Sequence, residues 1–140
     1  MDVTKLLAEI KAEEGTVLHA YEDHLGYLTI GVGRLIDKRK GGGISQKEAD
    51  YLLLNDVQEI VSALDKALPW VEQLSDTQQR ALCQMAFQMG VDGLLGFKTT
   101  LARLKAGDWK GAKESALKSK WATQTPARAE RVTDMFLVTK

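Results

Sequence analysis

The chain has 140 residues, 44% of them hydrophobic and 27% charged, with 19 basic side chains balanced by 19 acidic ones. That is the make-up of an ordinary globular protein with enough apolar residues for a core of its own. A neutral total gives no bulk attraction to nucleic acid, so no nucleic-acid partner is expected.

The charge is unevenly spread. Residues 1–97 carry 9 basic and 15 acidic side chains, a net of −6, and residues 98–140 carry 10 and 4, a net of +6. The basic segment is either a set of solvated helix faces or a surface that attracts an anionic polymer. Cys83, in the apolar run 81–86, reads as a buried core thiol. A lone cysteine forms no internal disulfide and has no partner for zinc. The start, Met1 to Lys5, lacks a basic segment followed by an apolar one, and no apolar run approaches the ~18 residues of a membrane span. Synthesis in a reducing cytoplasm without membrane insertion is therefore expected. A target outside the cytoplasm would need some other agent to open the way.

Residues 2–13 read as an amphipathic helix, because Val3, Leu6, Leu7 and Ile10 recur at helical spacing among charged neighbours. Gly15 ends it and leaves Glu14 in or just past the last turn. Over 16–36 aromatic and β-branched residues interleave with Gly26, Gly31 and Gly33, the pattern of strands and a hairpin. Lys38 to Gly43 is a basic, glycine-rich stretch that reads as a loop and not a phosphate cradle. Ser45 and Glu48 form a capping box that opens a helix of about twenty residues. Its broad apolar face is Ala49, Leu52, Leu53, Val57, Ile60, Val61 and Leu64. So long a helix after so thin a β region is expected to link two lobes.

Ser75 and Gln78 begin the next helix with a second capping box, and its body, Ala81 to Met89, is apolar enough to centre the second lobe. Gly90, Gly93 and Gly96 read as a turn. Two short helices follow, split at 106–108, and Thr125 as N-cap with Pro126 in the first turn opens the last one.

The segment 14–33 holds the chemistry. Glu14 ends a helix, Asp23 lies in a turn and Thr29 sits on a strand. An acid, a carboxylate and a water-holding hydroxyl are the parts needed to break a glycosidic bond. Taken alone, each is also an ordinary solvated charge or strand former. His19 and His24 lack metal-ligand spacing. Asp50, Asp56 and Glu59 read as one solvent face, and Trp70, Trp109 and Trp121 as lobe packing.

Three blocks, in order, carry a resemblance across nearly the whole chain. They are Glu14-Gly15 with Asp23 and Thr29-Ile30-Gly31-Val32-Gly33; Phe87-Gln88-Met89-Gly90; and Trp121 with Gln124-Thr125-Pro126-Ala127-Arg128-Ala129-Glu130-Arg131. With them the chain resembles the phage lysozymes of the T4 type, glycoside hydrolase family 24. The resemblance implies an α+β, mainly α, lysozyme-like fold. In it a helix over 1–13 packs on the helical lobe, a small β-hairpin lobe covers 14–45, a long helix over 46–68 joins the lobes, and the helical lobe covers 69–140. A cleft lies between the lobes.

The family's roles, carried over by resemblance, make Glu14 the general acid, Asp23 the second carboxylate and Thr29 a holder of the attacking water. Leu35, Phe87, Gln88, Thr100 and Ser115 line the saccharide groove, and Arg128 supports the helix end that carries Glu14. An acid working near neutral pH must keep its proton, so Glu14 is expected to be partly desolvated or near another negative charge. Asp23 is expected to stay solvated and ionised.

The implied activity is muramidase hydrolysis of the β-1,4 bond between N-acetylmuramic acid and N-acetylglucosamine of bacterial peptidoglycan. Inversion is expected, with carboxyls roughly 6.5–9.5 Å apart. No metal or organic cofactor is implied. The expected setting is a monomeric endolysin that accumulates in the host cytoplasm and reaches the wall through a holin lesion. The alternatives are a lytic transglycosylase and a non-catalytic wall-binding or engineered scaffold. Arg34 stands where the best-known member has His, with Asp56 as its expected partner. The link into the long helix is shorter than usual, and the chain stops short of the family's usual end.

Overall fold

The structure is a computed structural model and describes residues 1–36 and 43–140. The basic Lys38 to Gly43 stretch, apart from Gly43, lies outside the described residues. The chain divides into two compact units, Met1–Leu52 and Leu53–Lys140.

In the first unit α1 spans Val3–Glu14. Asp2 caps it by accepting the Lys5 N–H at 3.0 Å, and Gly15 closes it by donating to the Lys11 carbonyl at 2.9 Å. Its apolar stripe is present but uncovered: Val3, Leu6, Leu7 and Ile10 are all exposed. Three antiparallel strands follow in the order β1 (Val17–Glu22), β2 (Leu28–Gly31) and β3 (Arg34–Leu35). Thr29 pairs with Tyr21 on one side and with Leu35 on the other, so these three residues form one row across the sheet. Among the described residues of this unit, Thr29 alone is buried.

α2, Gln46–Ala67, runs across the boundary between the units. Its start corrects the expected capping box. The Ser45 hydroxyl accepts the Glu48 N–H at 3.1 Å, but the Glu48 carboxylate takes the Ser45 hydroxyl at 3.0 Å and Arg34 at 2.6 Å. Arg34 thus pairs with Glu48 in the first turn of α2, which lies close to β3, in place of Asp56. The broad apolar face of α2 is also mostly uncovered: Leu64 is buried, while Leu52, Leu53, Val57 and Val61 are exposed.

The second unit holds the core. It comprises a 3-10 turn (Pro69–Gln73), α3 (Asp76–Met89), α4 (Val91–Leu95), α5 (Lys98–Lys105), α6 (Trp109–Leu117), α7 (Lys120–Gln124), α8 (Pro126–Asp134) and a second 3-10 turn, Met135–Leu137. Leu82, Met85, Leu94, Leu104 and Phe136 are fully buried, and Trp70 and Trp109 pack against this core, as expected of them. The α3 capping box is complete, with Ser75 and Gln78 bonding reciprocally. The same two residues anchor the chain end: Gln78 donates to the Phe136 carbonyl at 2.7 Å and the Ser75 hydroxyl to the Val138 carbonyl at 2.6 Å.

Three further expectations are corrected here. The Gly90–Gly96 stretch is helical, because Gly93 falls inside α4 and Gly90 and Gly96 cap it. Thr125 precedes Pro126 as expected, but its hydroxyl donates back to the Trp121 carbonyl at 3.0 Å and makes no cap bond to α8. Cys83 is half-buried; burial, helped by the charge of Asp65, pushes its thiol above the usual range and keeps it protonated. No helix among the described residues is long and apolar enough to cross a membrane.

Candidate active site

The first unit brings Glu14, Asp23, Thr29 and Leu35 into the wall of one recess of about 690 Å³, with Tyr21, His24, Tyr27 and Gly33. Each arrives there for a local reason. Glu14 is the last residue of α1, so its side chain is thrown out where the chain turns into β1. Thr29 and Leu35 are cross-strand partners and share a face with Tyr21.

Asp23 is fixed by the hairpin turn between β1 and β2. One carboxylate oxygen, Oδ1, accepts the N–H groups of Leu25 and Tyr27, both at 2.9 Å. The turn also closes through the backbone, with Asp23 N–H donating to the Tyr27 carbonyl and Gly26 N–H to the Asp23 carbonyl. The Tyr27 N–H is the chief influence holding this carboxyl below its ordinary value; burial opposes it, and the Leu25 N–H and the charge of His24 add to it. Asp23 is therefore an ionised, oriented acceptor whose second oxygen, Oδ2, has no hydrogen-bond donor among the described residues. The Thr29 hydroxyl donates to the Tyr27 carbonyl at 3.2 Å, which leaves its oxygen lone pairs as acceptors.

Glu14 is exposed, so of its two expected settings partial desolvation is not the one seen, and the turn at Gly33 lies against its carboxyl.

The remaining predicted residues lie in the helical unit. Thr100 and Ser115 share a recess of about 400 Å³ with Lys98 and Ser119. Thr100 is buried and its hydroxyl donates to Ser115 Oγ at 3.2 Å, so Ser115 carries the accessible hydroxyl of the pair. Phe87, 47% exposed, lines two shallow recesses, one of which also holds Arg128. Gln88 is committed internally: its amide oxygen accepts the Trp121 indole N–H at 2.8 Å, and its NH₂ reaches Thr125 Oγ1 at 3.5 Å. Trp121 in turn meets Phe97 edge to face at 6.1 Å.

Sequence reasoning left out Tyr21, Tyr27, His24 and Gly33. Tyr21 was open to discovery through period-two spacing, had the register of β1 against β2 been known. The others reach the recess through turn geometry, which carries no periodic signal.

A helix-end glutamate, a turn aspartate and a strand threonine around one recess, followed by an all-helical unit, are the arrangement of a glycoside hydrolase of the lysozyme type. The chain belongs to the phage lysozyme family, whose family model matches residues 11–133. Among curated relatives it is 35% identical to the pre-baseplate central spike protein Gp5 of Enterobacteria phage T4, over 91% of this chain and 27% of that protein. It thus spans about a quarter of the spike protein's length. Two relatives are matched over most of their own length. The chain is 28% identical to "Probable T4-type lysozyme 2" of Dictyostelium discoideum, over 96% of this chain and 94% of the relative. It is 30% identical to the endolysin of Salmonella phage P22, over 86% and 84%.

Proposed function

We propose that the chain is a muramidase that hydrolyses the β-1,4 bond between N-acetylmuramic acid and N-acetylglucosamine in bacterial peptidoglycan. One observation carries the reading: Glu14, Asp23 and Thr29 line a single recess, with Asp23 held ionised by backbone N–H groups. In this mechanism a water donates one proton toward Asp23 Oδ2 and the other toward Thr29 Oγ1. A lone pair on its oxygen then faces the anomeric carbon. As the water oxygen bonds to that carbon, Asp23 accepts its proton, and the glycosidic oxygen leaves with the proton of Glu14. Attack from the face opposite the leaving group inverts the anomeric centre. Leu35, Phe87, Gln88, Thr100 and Ser115 belong to the saccharide groove, Thr100 by orienting Ser115.

The wider setting is part of the same proposal. The groove lies between a β-hairpin lobe over 14–45 and a helical lobe over 69–140, joined by the helix over 46–68. The helix over 1–13 docks on the helical lobe, and Arg128 supports its end. The enzyme acts as a monomeric endolysin, accumulating in the host cytoplasm and reaching the wall through a holin lesion.

Clearing of a peptidoglycan suspension by wild type and by a folded Glu14→Gln variant tests the assignment. Loss of a general acid removes about 10²–10⁴-fold in rate. Equal clearing would refute the role of Glu14. In the same digests the first-formed sugar should carry the inverted anomer. A retained anomer would make Asp23 a nucleophile, and a 1,6-anhydro product would make the enzyme a lytic transglycosylase.

A further inference from the structure

We propose that Gly33 is a positioning residue for the general acid: the absence of a side chain there is what lets the Glu14 carboxyl lie over the β2–β3 turn. The inference rests on the reading of Glu14 as the acid. Among the described residues, no hydrogen bond or ion pair holds the Glu14 carboxyl. Glutamate has three rotatable bonds, and this one is exposed, so the backbone it lies against helps set where its proton points.

The backbone at Gly33 lies directly against it. A Cβ built on Gly33 would stand 2.5 Å from Glu14 Oε2, 2.8 Å from Cδ and 3.1 Å from Cγ. All three of the nearest atoms belong to the acid, so a methyl at this position would collide with nothing else first. Because the colliding atoms are the far end of a flexible side chain, the clash is relieved by rotation of Glu14. The cost therefore falls on the direction of the carboxyl more than on the fold.

Two residues away the chain supplies its own control. Gly31 has φ +70° and Gly33 has φ +61°, so an alanine at either carries similar left-handed backbone strain. A Cβ on Gly31 would meet nothing within 4 Å. The difference between Gly33→Ala and Gly31→Ala thus isolates the contact with Glu14.

The experiment measures kcat and KM on a soluble peptidoglycan glycan fragment, with thermal midpoints, for wild type, Gly31→Ala, Gly33→Ala, Gly33→Asn and Glu14→Gln. Asparagine tolerates the left-handed region yet brings a Cβ, so it separates the clash from backbone strain. A carboxyl displaced by about 1 Å or more is expected to lower kcat about 100-fold in both Gly33 variants. KM should stay within about threefold, Gly31→Ala should keep most of the wild-type kcat, and the midpoints of the two alanine variants should agree.

If kcat of Gly33→Ala falls no further than that of Gly31→Ala while Glu14→Gln is inactive, the role of Gly33 is overturned and that of Glu14 stands. Full activity in Glu14→Gln overturns both. Unfolding of both Gly33 variants beside a folded Gly31→Ala also overturns the inference, because it makes the glycine a requirement of the fold.

Discussion

The carboxylate of Asp23 shows how much one side chain is asked to do. Its Oδ1 holds the hairpin turn by accepting two backbone N–H groups, and the proposed reaction uses the same group as a base. Substitution can separate the two roles. In Asp23→Asn the amide oxygen can accept the same N–H groups, so the turn should survive and turnover should be lost. Asp23→Ala should lose turnover and also lower the thermal midpoint. Equal midpoints in the two variants would show that the turn does not depend on these bonds. The pH dependence has a definite sign. The folded carboxyl titrates below its ordinary value, chiefly because of the Tyr27 N–H. Its contribution to stability is therefore complete above the unfolded value, about 3.9, and is lost as pH falls through the lower folded value. Wild type should be stabilised relative to Asp23→Asn by a constant amount at neutral pH, shrinking in that acid window. A difference that instead grew on acidification would contradict the bonding described.

At the scale of elements, Ser75 is the residue to test. Its hydroxyl accepts the Gln78 N–H at the start of α3 and donates to the Val138 carbonyl, so it ties the first turn of a core helix to the chain end. Ser75→Ala should cost about 1–2 kcal/mol by denaturant unfolding, the upper part of the range for a lost cap, because a tether goes with it. A second tie joins α6 to α8, where Lys113 bridges Glu130 at 2.8 Å and also pairs with Asp134. The side chains of Glu130 and Asp134 are 55% and 56% exposed, so solvent screens these pairs. A double-mutant cycle of Lys113→Met with Asp134→Asn should give about 0.2–1 kcal/mol, falling with salt. These elements also show what could be read beforehand. The limits of α1 and α2 and the α3 capping box follow from local spacing and cap chemistry, which are written in consecutive residues. The partner of Arg34, the helicity around Gly93 and the backward bond of Thr125 were not legible, because each depends on which neighbour arrives first in space. Periodicity likewise marks the apolar face of α2 without saying what covers it. That Glu14, Asp23 and Thr29 belong together was legible from their order along the chain; the bare backbone of Gly33 against Glu14 was not.

Over the whole molecule the apolar core and the recess of Glu14, Asp23 and Thr29 belong to different units. Every buried apolar side chain among the described residues falls between Leu64 and Phe136, whereas Glu14, Asp23 and Thr29 lie in Met1–Leu52. Stability should divide the same way, since local opening is cheapest where little apolar surface is buried. In native-state hydrogen exchange the amides of α3, α5, α6 and α8 should open only with global unfolding. Those of α1 and of β1 to β3 should exchange through smaller openings. Leu82, fully buried in α3, makes the comparison decisive. Leu82→Ala should lower the protection of the helical amides by about 2–5 kcal/mol, because it leaves a cavity in the core. The strand amides should shift far less, because their exchange does not wait for the core to open. Equal loss of protection in the strands and in α3 would mean that the sheet unfolds only with the core. A sheet that opens on its own would let the recess admit a bulky glycan at little cost to the fold, and the burden of stability would rest on helices that carry neither carboxylate.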